Sequence, residues 1–253
     1  MRKFEIALFI LSFLYGCESV TQDEELLKYN VVCLLSNLES PQKVYIFKTA
    51  NLSEAQYWFY RVPRQWEFNY ADFIRSYVVK DARVRILSED SVFIFKYASI
   101  DSLCYSEDGE KISIESGKVY KLNIETADGF LISGETKVPG KIEILEPKNG
   151  DTVKAIKNQL NQVSVKIKWT KSEDAYGYLI NYGLDYHFTV DTGLNFIFNI
   201  PQDEREAVIK VLAVDENFYK HYYYKINKSG LRNAYGFFGS CFGDSVTIKI
   251  VPD

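Results

Sequence analysis

A chain of 253 residues with a formal net charge of −4 and a pI near 5.4 has no basic excess, so nucleic-acid phosphates meet no electrostatic footprint on it. Apolar residues make up 47% and charged ones 25%, the balance of a folded chain rather than a disordered one. Aromatics at 15%, with 19 Tyr against a single Met, suit strands, whose pleated surfaces accommodate rings.

Arg2 and Lys3 precede an apolar run from Ile6 to Tyr15. Spanning a bilayer as a helix takes about 20 apolar residues, so this shorter run reads as a secretory signal that is cleaved. Leu14-Tyr15-Gly16-Cys17 closes the run and resembles the lipobox of bacterial lipoproteins. That resemblance implies a diacylglycerol on the Cys17 sulfur, with Cys17 as the first mature residue. A thiol is nucleophilic enough to accept the lipid, and two or more acyl chains hold a protein stably at a membrane. Glu18 to Glu25 is polar and acidic and reads as a solvated tether. Acidic residues after the lipidated Cys resemble an outer-leaflet export signal of some Gram-negative bacteria. The expectation is a signal peptide over 1–16, a lipidated Cys with its tether over 17–28, and anchorage to the cell outer membrane, the leaflet left open.

From Tyr29 the pattern turns to strands. Asn30 to Ser36 and Gln42 to Lys48 flank the turn formers Asn37-Leu38-Glu39-Ser40-Pro41. Ala55 to Tyr77 is dense in rings without a clean period, and Trp58, Tyr60 and Trp66 stand out in it as candidate ligand or partner aromatics. Their other reading is a packed flap. Val79 to Leu87 sets Val79, Asp81, Arg83 and Arg85 against Ala82, Val84 and Ile86, the alternation of a half-buried strand. Ser88 to Ser91 turns the chain and Val92 to Tyr97 returns it. Lys118 to Thr126 alternates strictly, Ala127-Asp128-Gly129 turns, and Phe130 to Val138 pairs back as a hairpin.

Pro139-Gly140 marks a boundary. Beyond Lys141 to Leu145, strands are predicted at Val163 to Trp169, Tyr176 to Tyr182, Tyr186 to Val190, Asn195 to Ile200, Ala207 to Val214, Tyr219 to Tyr224 and Ser245 to Val251. Seven short strands with an early Trp fit an immunoglobulin or fibronectin type III sandwich with Trp169 in its core. Gly230 to Gly243 reads as a loop or bulged strand whose glycines permit positive φ. The predicted fold is all-β: two consecutive β-sandwiches, over 29–139 and 140–253, after the signal and tether.

Several segments together resemble a family of Bacteroidetes outer-membrane lipoproteins catalogued as domain of unknown function 4249. They are Lys80 to Ile86, Gly117 to Gly129 and Thr136-Lys137-Val138-Pro139. Trp169-Thr170-Lys171-Ser172 with Gly177-Tyr178, Val211 to Tyr219 and Tyr235 to Ser240 continue the likeness. The resemblance implies an N-terminal sandwich, a second fibronectin-like one and anchorage at the periplasmic or outer surface, and it implies no reaction.

For catalysis the inventory is thin. The only histidines, His187 and His221, sit among aromatics and read as strand positions. No nucleophile elbow, phosphate loop, zinc-helix motif or paired-cysteine motif occurs. Asp215-Glu216-Asn217 reads as a solvated turn, with calcium as the other reading that three oxygen donors allow. If Cys17 carries lipid, Cys33, Cys104 and Cys241 remain, an odd number. One bridge is allowed, with Cys33–Cys104 as the candidate pair, and three buried thiols are the alternative. The sequence therefore points to no enzyme, metal or cofactor. It points to a lipid-anchored binding or assembly protein, accessory to an outer-membrane transport or secretion complex. Its partners would be the membrane through Cys17 and an outer-membrane β-barrel protein or an extracellular polymer. A glycan-binding module and a hydrolase using two of its 34 carboxylates are the rival readings.

Overall fold

The computed structural model describes residues 28–49, 75–99, 101–109, 111–156, 162–183, 185–200 and 205–251. Their regular secondary structure is nearly all strand. In the first half lie β1 (Tyr29–Ser36), β2 (Lys43–Lys48), β3 (Arg83–Leu87), β4 (Val92–Tyr97), β5 (Tyr105–Glu107), β6 (Val119–Glu125) and β7 (Leu131–Lys137). The second half adds β8 (Ile144–Glu146), β9 (Thr152–Ile156), β10 (Gln162–Trp169), β11 (Gly177–Tyr182), β12 (Asp185–Thr189), β13 (Gly193–Asn199) and β14 (Glu206–Val214). Helix α1 (Glu216–Tyr222) follows, then β15 (Lys228–Ser229), β16 (Leu231–Arg232) and β17 (Tyr235–Val251).

The first sandwich is one ladder that curls over its own apolar face, in the order β17–β1–β2–β5–β4–β3–β6–β7–β16. Alternation supplies the core. Val31, Cys33 and Leu35 of β1 face inward with Val84 and Ile86 of β3 and with Tyr120, Leu122 and Ile124 of β6; the intervening residues of β3 and β6 face outward, and Val32 and Leu34 of β1 pack on the small cluster of Val214, Phe218, Phe237 and Cys241. Tyr105 fills the middle, and its hydroxyl accepts from the Ala82 N–H at 2.9 Å.

The second sandwich lays β8, β9, β10 and β13 against β12, β11, β14 and the far half of β17. Two antiparallel sheets packed face to face around one early Trp are the immunoglobulin or fibronectin type III arrangement. Trp169 is 2% exposed and meets Tyr178 edge to face at 5.4 Å between centroids. Its indole N–H is buried with no hydrogen-bond partner among the described residues. Trp169→Phe deletes that orphan donor while shrinking the ring, so the two effects oppose each other. The expected change in unfolding free energy is within about 1 kcal/mol, read by urea titration.

Two predicted elements differ from what forms. Tyr219 to Tyr224 is not a strand, because α1 occupies most of it: Asp215 caps the helix through the Phe218 N–H at 2.9 Å, and Glu216 pairs with Lys220 one turn on at 2.9 Å. The last strand begins at Tyr235 rather than Ser245. Its first part, Tyr235 to Cys241, runs parallel to β1, and its second part pairs antiparallel with β14. Leu231, Ala234 and Phe238 accordingly belong to the first core, and Val246, Ile248 and Ile250 to the second. A smaller apolar cluster of Val214, Phe218, Phe237 and Cys241 lies under α1, where the sandwiches meet.

Candidate functional site

The junction between the sandwiches holds a carboxylate, Asp215, whose pKa burial raises well above the ordinary carboxylate range. Asp215 leaves β14 at the point where the chain turns into α1, and the cap geometry aims its side chain inward. Oδ1 accepts the Phe218 N–H, and Oδ2 accepts the Thr136 hydroxyl at 2.5 Å. The Thr136 hydroxyl also lies 2.7 Å from that of Ser240, and the Asp215 N–H donates to the Ser240 carbonyl at 3.0 Å. Asn217 adds a clasp, its amide donating to the carbonyls of Glu135 at 2.8 Å and Phe238 at 2.9 Å. Burial pushes the Asp215 carboxyl up to about 6, and the hydrogen bond from Thr136 and those from backbone N–H groups draw it back only in part. No histidine or second acid accompanies this carboxylate in the network among the described residues, and the two hydroxyls in it, Thr136 and Ser240, are bonded to Asp215 and to each other. Its work there is to tie β7, α1 and β17 together.

On the outward side, α1 and β12 present rings. Tyr219 stacks on Tyr223 at 5.0 Å and 14°, and meets Tyr224 edge to face at 5.3 Å. Phe188 of β12 lies 5.3 Å from Tyr219, and Tyr176 extends the group at 6.4 Å. Helical spacing accounts for the stack, since residues four apart share a face. Tyr223 is 58% and Tyr224 61% exposed, and Tyr176, Tyr186, Val190 and Ile226 are exposed as well. Beside Tyr176 a shallow cleft of about 340 Å³ is lined by Lys171, Val190, Asp191 and Thr192. Single exposed apolar residues are ordinary, whereas a contiguous group of rings is the composition of an interface.

Of the sequence candidates, Cys17, Trp58, Tyr60 and Trp66 lie outside the described residues. The bridge between Cys33 and Cys104 is not formed. Cys33 stands opposite Val44, and Val44 opposite Tyr105, so two strand spacings, about 10 Å, separate Cys33 from the neighbour of Cys104. A disulfide needs its Cα atoms within about 7 Å. All three cysteines are buried, and burial raises the Cys33 thiol and pushes Cys241 up to about 12, which leaves neither nucleophilic at neutral pH. His187 sits on β12, and His221 stacks on Phe237 at 4.7 Å with its Nδ1–H donating to the Ile226 carbonyl. Burial lowers the His221 pKa, and the hydrogen bond to the Ile226 carbonyl offsets this only in part. No group of three His, Cys, Asp or Glu side chains converges as a metal site among the described residues. Asp215 is a buried helix cap rather than part of a solvated turn, and Glu216 and Asn217 after it are half-buried in the first turn of α1. The signal for it was present: an Asp with an acidic residue directly after it, opening a helix.

A family model described as "Domain of unknown function (DUF4249)" matches residues 18–249. No curated protein matches the chain. Among solved structures, the fibronectin(III)-like modules of Clostridium thermocellum CbhA align with 12% identity and a TM-score of 0.29, over 88% of this chain and 94% of theirs. The FN1-FN3 domains of chicken CNTN1 align with 9% identity and a TM-score of 0.21, over 89% of this chain and 66% of theirs.

Proposed function

The chain belongs to the family described as domain of unknown function 4249, and from that premise we propose that it is a lipid-anchored cell-envelope protein that acts by binding. Its task on this reading is to serve as an accessory of an outer-membrane transport or secretion complex, not to carry out a reaction. The observation that carries the proposal is the exposed ring group of Tyr176, Tyr223 and Tyr224, with Phe188 and Tyr219 behind it. Tyrosines of this kind contribute large, rigid contact area and dominate the energetics of protein interfaces. The face is apolar and stacked upon itself, so a flat protein surface fits it better than a single sugar ring. The division into residues 29–139 and 140–253 is part of the same proposal, with β17 serving both units.

Anchorage rests on Leu14-Tyr15-Gly16-Cys17. Eleven peptide units separate Cys17 from Lys28, a tether with a reach of at most about 40 Å. Cys17→Ser is expected to move the protein from the membrane to the soluble or signal-bearing fraction, and unchanged extraction with the lipoproteins would refute the lipid. Mild affinity capture from detergent-solubilised membranes tests the partner. An outer-membrane β-barrel protein should co-purify with the native chain and fall by at least about tenfold with Tyr223→Ala/Tyr224→Ala, the loss expected when two interface anchors of about 1 kcal/mol or more are removed. Recovery of the native chain alone would sink the assembly reading.

A further inference from the structure

A second surface lies on the outer face of the first sandwich, away from the tyrosines. There the strand register sets four polar side chains in one row: Arg85 of β3 is paired with Asn123 of β6, Asn123 with Ser133 of β7, and Ser133 with Arg232 of β16. Directly paired residues project from the same face of a sheet. The sequence neighbours Val84, Ile86, Leu122, Ile124, Ile132 and Leu231 are all buried, so the row points to solvent. Strands are about 4.8 Å apart, which puts the two arginine Cα atoms about 14 Å from one another. Ile94, paired with Arg85 on β4 and half exposed, extends the row with apolar surface.

One step along the strands, Lys121 faces Glu135 in an ion pair at 3.7 Å. Lys121, Asn123, Ser133, Glu135 and Arg232 line a shallow cleft of about 540 Å³. Its floor is backbone. A Cβ at Gly134 would lie 2.5 Å from the Gly230 carbonyl oxygen, so these two chains close up only because no side chain intervenes.

The charge of this face contrasts with that of the chain, which is −4 overall. Arg83 is paired with Glu125 and Lys121 with Glu135, yet Arg85 and Arg232 make no ion pair or side-chain hydrogen bond among the described residues. Each guanidinium offers five donors in a fixed fork that matches a carboxylate, and the Asn123 amide and Ser133 hydroxyl between them both donate and accept, as sugar hydroxyls require.

We propose that the Arg85–Asn123–Ser133–Arg232 row binds an acidic polysaccharide, with uronate carboxylates seated on the two arginines and the intervening hydroxyls on Asn123 and Ser133. The site stands apart from the tyrosine surface and does not depend on the assembly reading. Two unpaired cations are too few to neutralise a nucleic-acid backbone, whereas they can seat two carboxylates of a polyuronate, which bears one charge per sugar, and leave the rest in solvent. Exposed charge pairs are individually weak and screened by salt, so the binding is modest in affinity and falls as ionic strength rises.

The test uses the full chain in detergent, with polygalacturonate and alginate as probes, dextran as the neutral control and phosphatidylglycerol vesicles as the anionic lipid control. Retention by at least one polyuronate is expected, with dextran at background. Arg85→Gln and Arg232→Gln should each weaken retention by at least about fivefold, and salt raised from about 50 to about 300 mM should weaken it further. Arg83→Gln, whose guanidinium is already paired, should leave it nearly unchanged. Retention by neither polyuronate, equal retention by dextran, an unaffected double variant, an Arg83→Gln loss as large as the other two, or arginine-dependent binding to vesicles alone would each overturn the assignment.

Discussion

Asp215→Asn is expected to remove about 3 kcal/mol of pH dependence from the folding free energy between about pH 4 and pH 7. The native carboxyl is held near 6 against an ordinary value of 3.8, with burial as the main cause. The folded chain therefore keeps a proton that the unfolded chain has released. Stability from the protonated form is fully present below 3.8 and is lost as pH rises through about 6. A gap of roughly two pH units at about 1.4 kcal/mol each gives the figure. Asn at this position still offers an oxygen to the Phe218 N–H, and its amide can donate to the Thr136 hydroxyl, which then donates on to Ser240. Urea unfolding of both proteins across this range reads the effect, because other titrating groups cancel in the difference. A difference that stays constant with pH would show that the Asp215 carboxyl is not shifted.

Gly236→Ala should cost about 4 kcal/mol or more and strike the pairing of β1 with β17. Gly236 has φ +95°, a conformation that L side chains rarely adopt. It also sits opposite Val31 in the parallel ladder, where a Cβ would run into the Val31 carbonyl oxygen and lie 2.8 Å from Asn30 Oδ1. The Asn30 side chain can turn aside, but the Val31 carbonyl cannot retreat, since it belongs to a strand held by β2 on its other side. The strain and the clash add, and the first sandwich should unfold at lower denaturant than the second. A loss under about 1 kcal/mol would mean that the turn into β17 is far more pliant than its geometry requires.

Much of the fold was legible because local chemistry and the final arrangement agree. Lys118 to Thr126 alternates in sequence and alternates in the core, and Ala127-Asp128-Gly129 turns with Gly129 at positive φ. The second set of strands and the place of Trp169 were legible for the same reason. Where the reading failed, two local rules competed. Tyr219 to Tyr224 has the ring content of a strand, yet Asp215 satisfies the first free N–H of a helix, and that contact is a matter of three residues. The early part of β17 is buried on both faces and carries Gly236, Gly239 and Gly243, so it shows no period to count.

The sites were less legible than the strands because they are assembled across the chain. Nothing near Asp215 in sequence announces that Thr136, 79 residues away, will close over it and strip its water. Arg85 was visible as an outward residue of an alternating strand. That it shares a row with Arg232 follows only from the register of three successive strand pairs.

The continuity of β17 bears on how the molecule would carry a load. β1 begins at the tether end and runs beside β17 in the same direction over seven residue pairs, from Asn30 with Tyr235 to Ser36 with Cys241. β17 then continues into the second sandwich without a break. A pull toward the tether at Tyr29 and an opposing pull on the second sandwich would draw these two strands lengthwise past each other. Their hydrogen bonds would be strained together in shear, not opened one at a time as in a zipper. A joint of that kind yields only when the whole row gives way, so the strand that unites the two cores also makes the chain resist being stretched.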